Sequence, residues 1–215
     1  MAELVGRLGV VGALDDAVGR VKQRDRGLSA GEFLVALAQA QMFGAEFWTG
    51  LDRRRADAAG EALSVVATPA STTAVELAKR FGPMQCAGVE EGIGEIVCRV
   101  LGVLPAVRRQ RLRTGGATID LDGTDVEVYG SAKEGIAYSY KGARAGRPHV
   151  ATWAEAGLVL AADLLAGDED PRPGAGSLIE RSMDTLKAAG VTGRPTVRGD
   201  AVSYTHLTLP TILRV

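Results

Sequence analysis

The chain has 215 residues, 46% of them hydrophobic and 24% charged, with a formal net charge of −1. That length and apolar content suit one or two domains with real cores. No apolar stretch reaches the ~18 residues that argue a membrane span, and the start lacks the basic-then-apolar pattern of an export signal, so a cytoplasmic protein is expected. The near-neutral total hides a split: residues 1–115 carry 15 basic and 13 acidic side chains, whereas 116–200 carry 9 and 13. The densest basic run is Arg108-Arg109-Gln110-Arg111-Leu112-Arg113, followed by Arg53-Arg54-Arg55. Such runs either grip phosphate backbones or form solvated helix ends.

Residues 1–115 read mainly as helices. Ser29-Ala30-Gly31-Glu32 is a capping box, and Phe33, Leu34, Leu37 and Ala38 follow at helical spacing. That helix should stop near Gly44. Phe47 to Arg55 makes a second segment, and Pro69 to Thr72 a loop and N-cap ahead of an amphipathic stretch from Thr73 to Phe81. Val89 to Leu101 is a longer helix that Gly92 and Gly94 should interrupt. Pro105 opens the helix that ends in the basic run, and Gly115-Gly116 marks the expected domain junction. Cys86 and Cys98 are expected to be reduced core thiols, and Trp48 and Trp153 core residues.

After Gly116 the period changes to two. Ala117 to Tyr129 alternates as a strand, with Ile119 and Leu121 on one face and Asp120 and Asp122 on the other. Ile136 to Tyr140, His149 to Trp153 and Leu158 to Leu164 are further strands. Asp168 to Gly174 reads as a loop, Ser177 to Ala189 as a helix, and Thr196 to Arg198 leads into Gly199-Asp200. The fold class is therefore α/β, a helical first part followed by a strand-rich second.

The segment Ile119-Asp120-Leu121-Asp122-Gly123-Thr124 carries the chemistry. Strands are depleted in Asp, and two carboxylates on one strand face repel unless a cation compensates. Hard oxygen ligands suit Mg²⁺, and Asp200, at the end of a later strand, could complete the set. The bland alternative is a surface strand with an Asp-Gly turn. Lys141, Arg144 and Arg147 follow the second strand and are candidate DNA-phosphate contacts, as are Arg108, Arg109 and Arg111. His149 lacks a partner at ligand spacing and reads as structural.

An ordered set of motifs resembles the DDE transposases of bacterial insertion sequences, of the DDE group 1 type. It comprises Thr118 to Gly130, Lys133 to Gly142, Arg147-Pro148-His149-Val150 and Arg198-Gly199-Asp200, with Glu3 to Gly9, Arg26 to Ser29 and Leu51 to Asp57 in the first part. The resemblance spans residues 1–201. It implies a helical DNA-binding domain over 1–115 and a partial ribonuclease-H-like catalytic domain over 116–201. It further implies two divalent ions, Mg²⁺ or Mn²⁺, held by Asp, Asp and Glu. Asp122 would be the first ligand and Asp200 the second. Asp120 could substitute or assist, and the residues alone leave that choice open. The implied activity is cut-and-paste transposition: metal-dependent DNA cleavage and strand transfer at the element's terminal inverted repeats, by a homodimer. The implied Glu lies in a C-terminal part beyond residue 201, so this fragment is expected to be inactive.

Two other readings compete. Asp120-Leu121-Asp122-Gly123-Thr124 also resembles the DxDGT motif of haloacid-dehalogenase-type phosphatases, with Asp120 as nucleophile, although such enzymes alternate strand and helix. A non-catalytic DNA-binding remnant is the third reading. Val202 to Thr211 matches one reading frame of a transposon-end adapter used for sequencing libraries, so residues 202–215 are expected to be an artefactual tail.

Overall fold

The computed structural model describes residues 2–22, 26–129 and 133–199. The chain is mixed α/β and divides into two compact units, Met1–Val103 and Leu104–Val215. Asp200 and the adapter-like tail lie outside the described residues. Among those described, no helix is long and apolar enough to cross a membrane.

The first unit is helical. Helices α1 (Ala2–Leu8) and α2 (Val10–Val18) meet at Gly9, whose φ of 59° favours glycine. Helix α3 (Ala30–Met42) begins with the expected capping box: Glu32 N–H donates to Ser29 Oγ at 3.1 Å, and Ser29 N–H donates to the Glu32 carboxylate at 2.8 Å. Helices α4 (Thr49–Ala56), α5 (Ala58–Ala62) and α6 (Ser71–Ala78) follow. Phe33, Ala40, Leu51, Ala74 and Leu77 form a shared core. On α4 the buried position is Leu51; Trp48, just before the helix, is 41% exposed, which corrects its expected place in the core.

Helix α7 (Pro83–Val103) runs unbroken through Gly92 and Gly94, against the expected interruption. The reason lies in its packing on α2. A Cβ on Gly88 would stand 2.5 Å from the Ala17 carbonyl oxygen, and one on Gly92 would stand 2.9 Å from Leu14 Cδ2. A helical Gly costs about 1 kcal/mol relative to Ala, and the close approach of the two helices offsets it. Cys86 is exposed, Cys98 is half-buried, and neither forms a disulfide. The thiols are therefore not core groups: the buried stripe of α7 is Gly88, Gly92, Val97 and Leu101.

The second unit opens with α8 (Ala106–Thr114), the basic helix that the sequence assigned to the N-terminal part. It is bound to this unit because the Arg113 carbonyl accepts from Thr192 N–H (2.7 Å) and Gly193 N–H (3.1 Å), while Arg113 Nε donates to the Ala189 carbonyl at 3.0 Å. Then come β1 (Ala117–Gly123), β2 (Val126–Glu127), β3 (Ala137–Tyr138), β4 (Arg144–Trp153), β5 (Leu158–Ala166), α9 (Arg172–Ala188) and β6 (Pro195–Gly199). Strand β1 is interior: it pairs antiparallel with β4 and parallel with β6. Strand β5 pairs with the other edge of β4, while short β2 and β3 pair with the first residues of β4. The single strand expected over 117–129 is two, because Asp125 is drawn into an ion pair with Arg147 at 2.7 Å. Helix α9 starts at Arg172, inside the expected loop, since a Pro in the first turn is compatible with a helix.

One sheet face is packed. Ile119 and Leu121 stand opposite Trp153 and Ala151 in register, and all four are buried. A bulge between Ala151 and Thr152 lets successive residues Leu160 and Ala161 both reach the core. Helix α9 covers this face with Ala175, Leu178, Ser182 and Leu186, and Arg181 reaches Asp163 on β5 at 2.6 Å.

Candidate functional site

Asp120 and Asp122 occupy the opposite face of β1, as the alternation predicts, but their surroundings differ. Asp120 lies directly across from Arg198 on β6 and Thr152 on β4. Arg198 grips it with two parallel bonds, Nε to Oδ1 at 2.7 Å and Nη2 to Oδ2 at 2.6 Å. This is the bidentate geometry a guanidinium makes with a carboxylate. The same contact raises the pKa of Arg198 above its ordinary value. Both oxygens of Asp120 are thereby engaged, and its side chain is only 25% exposed.

Asp122 is two residues further along and exposed, at the carboxyl end of β1. The β1–β6 pairing closes with Leu121 opposite Gly199, the residue before Asp200 in the chain. Asp125 is not available as a further ligand, since its side chain is 10% exposed and paired with Arg147. Among the described residues no group of three or more His, Cys, Asp or Glu side chains is placed to hold a metal ion. Strand β1 thus presents one exposed carboxylate, Asp122, where the sequence set two.

The basic candidates fall into separate places. Arg147 sits within a knot: besides Asp125 it donates to the carbonyls of Glu169 and Gly167, both at 3.0 Å. These bonds tie the β5–α9 loop to β4 and commit the half-buried Arg147 guanidinium to partners within the chain. Lys141 and Arg144 lie on the β3–β4 hairpin, each over a tyrosine ring: Lys141 Nζ 5.4 Å from Tyr140 and Arg144 Cζ 5.8 Å from Tyr138. Arg108 and Arg111 line a groove of about 570 Å³ with Leu112, Gly115, Gly116 and Glu155, and Arg109 is half-buried on the same helix. Glu155 accepts from Thr118 N–H (2.9 Å) and its hydroxyl (2.7 Å). Burial pushes its pKa upward, and these bonds outweigh it to leave a net depression. This groove flanks the amino end of β1. A seven-residue strand, about 20 Å at 3.3 Å per residue, separates it from the Asp122 end.

His149 is buried, opposite Gly123 on one side and Asp163 on the other. Burial lowers its pKa, with Asp163 and Asp122 pulling the other way. Sequence reasoning missed Arg198 as the partner of Asp120, although a basic residue two places before Asp200 was a visible signal. It also passed over Tyr138 and Tyr140. No protein-family model, curated protein or solved structure matches the chain.

Proposed function

We propose that this chain belongs to a DDE transposase of a bacterial insertion sequence, with Asp122 and Asp200 as its first two metal ligands. The observation that carries the reading is the division of labour on β1: Asp120 is held in a two-bond ion pair with Arg198, and Asp122 stands exposed beside a parallel strand whose next residue is Asp200. In open sheets, ligands gather at the carboxyl ends of such strands. The strand plan supports a ribonuclease-H-like unit: an antiparallel run β1–β4–β5, a crossover helix, and β6 returning parallel beside β1.

When bound, Mg²⁺ or Mn²⁺ would supply activation of water or a 3′-hydroxyl and stabilisation of the leaving oxygen. The chain's own part is to present Asp122 as a hard oxygen ligand. Arg198 contributes by pairing with Asp120 through both carboxylate oxygens, which leaves Asp122 as the uncommitted carboxylate of the strand. Lys141 and Arg144, on the same end of the sheet as Asp122, are the proposed contacts to DNA phosphates. Arg108, Arg109 and Arg111 form a second basic surface for DNA, and the terminal repeats and target DNA are the partners of a homodimer.

The phosphatase reading needs Asp120 as an unencumbered nucleophile in a parallel α/β sheet. The bidentate Arg198 and the antiparallel neighbour β4 both speak against it. The test is cleavage of terminal-repeat DNA by a version of the protein that carries the third carboxylate, with Mn²⁺ added. Asp122→Asn and Asp200→Asn should each lose cleavage and keep DNA binding. Cleavage retained in either variant sinks the metal assignment. DNA binding with no cleavage in the unsubstituted protein points to the non-catalytic remnant.

A further inference from the structure

The β3–β4 hairpin carries a feature that phosphate contacts alone do not explain. Tyr138 is 66% exposed and Tyr140 is 82% exposed, while Ser139 between them is buried. The alternation sends both rings outward. The hairpin is well made beneath them: Ser139 N–H donates to the Ala143 carbonyl and Gly142 N–H to the Ser139 carbonyl, both at 2.8 Å, with Gly142 at a φ of 77°. Single exposed aromatics need no explanation. Here two project from one short turn, and each has a cation over its ring, Arg144 at 5.8 Å and Lys141 at 5.4 Å.

The position on the sheet adds a second argument. Tyr138 stands opposite Arg144, and Asp122 stands opposite Val150. Residues 144 and 150 share a face of β4, so Tyr138, Arg144 and Asp122 lie on one side of the sheet. Six residues of β4 separate the two places, roughly 20 Å.

We propose that this hairpin is a stacking platform for unpaired nucleotides of DNA, with Tyr138 and Tyr140 taking bases and Lys141 and Arg144 the adjoining phosphates. It rests on the DNA-processing reading above and goes beyond it by assigning unpaired bases to the two tyrosines, which that reading leaves without a role. Aromatic rings accept any base face, and neighbouring cations follow the backbone; this is how strand-tracking grooves bind. The cavity of about 510 Å³ under the rings is bordered by Asp168, Glu169 and Asp170. Asp170 is paired with Arg172, and the Glu169 carboxylate accepts from Ala166 N–H. Arg147 and Arg172 line the same cavity but are held in ion pairs with Asp125 and Asp170, so Lys141 and Arg144 are the cations set beside the rings.

The test is fluorescence anisotropy at low salt with the whole chain and two labelled probes, a 12-nucleotide oligo-dT and a blunt duplex. Tyr138→Ala and Tyr140→Ala should each weaken oligo-dT binding by roughly 5- to 150-fold and leave duplex binding within about twofold. Tyr140→Trp should restore or tighten it, since the ring is retained. Lys141→Gln should weaken both probes. Unchanged oligo-dT affinity in the tyrosine variants, or equal loss for both probes, overturns the platform while the duplex contact and the transposase reading stand. Failure of the unsubstituted chain to bind either probe overturns both together.

Discussion

The two faces of β1 are built from neighbouring residues and serve different ends. Ile119 and Leu121 point into a core closed by α9; Asp120 and Asp122, one residue away from each, point to the open face. The packed face is complementary in register, with bulky Trp153 against Ile119 and small Ala151 against Leu121. On β1 the open face is polar, with Asp120 and Asp122 beside Arg198. Substitutions on the packed face should therefore change stability, and those on the open face should change chemistry with little effect on folding. The largest expected effect lies on the open face. In a version of the protein that carries the third carboxylate, Asp122→Asn should reduce metal-dependent cleavage on the order of 10³-fold or more, the scale of several kcal/mol that a metal supplies to a phosphoryl transition state. Its urea midpoint should stay that of the unsubstituted protein, because the side chain is exposed. A large loss of stability would break the division between the faces.

Trp153→Ala is the converse. Trp153 is fully buried beside Ile119, and truncating such a residue costs about 3–5 kcal/mol. Urea denaturation followed by circular dichroism should register that loss. A loss near zero would mean that α9 does not seal this face as described.

His149 tests the packed face by pH. Its folded pKa lies below 6.5 because burial disfavours the charged ring. The unfolded chain therefore takes up a proton at a pH where the folded chain does not. Stability contributed by neutral His149 is complete above about pH 6.5 and declines as pH falls toward the depressed folded value. His149→Gln should flatten the fall in urea midpoint between pH 7.5 and pH 5, measured side by side. An identical slope in the variant would assign the acid sensitivity to carboxylates.

Much of this was legible in the sequence where the deciding contacts are local. The period-two pattern of 117–122 gave the faces of β1 correctly, because a half-buried strand writes its burial directly into alternation. The Ser29–Glu32 capping box was legible for the same reason, three residues apart. What failed depended on distant partners. Gly92 reads as a helix breaker until α2 is seen lying on it. Strand β1 ends early because Asp125 is claimed by Arg147, 22 residues later in the chain. The choice between Asp120 and Asp122 could not be made from one strand. Arg198, which separates them, lies 78 residues later in the chain. Asp200, expected as the second ligand, lies outside the described residues.

The smallest expected effect, and the sharpest for the open face, is Asp120→Asn. The Arg198 side chain is 70% exposed, and pairs of that kind contribute little to stability, so the urea midpoint should barely move. Cleavage should stay within about tenfold of the unsubstituted protein if Asp122 is the metal ligand, and vanish if Asp120 is. A modest loss has a specific cause on this geometry. With its partner neutralised, Arg198 is left as an uncompensated cation on the face that holds Asp122, and it competes electrostatically with a divalent ion. Adding Arg198→Gln to Asp120→Asn should then recover the lost metal affinity, read as the Mn²⁺ concentration giving half-maximal cleavage. Non-additive recovery is the signature of two side chains acting as one unit. Strictly additive losses would mean that Arg198 acts on the substrate itself and not through Asp120.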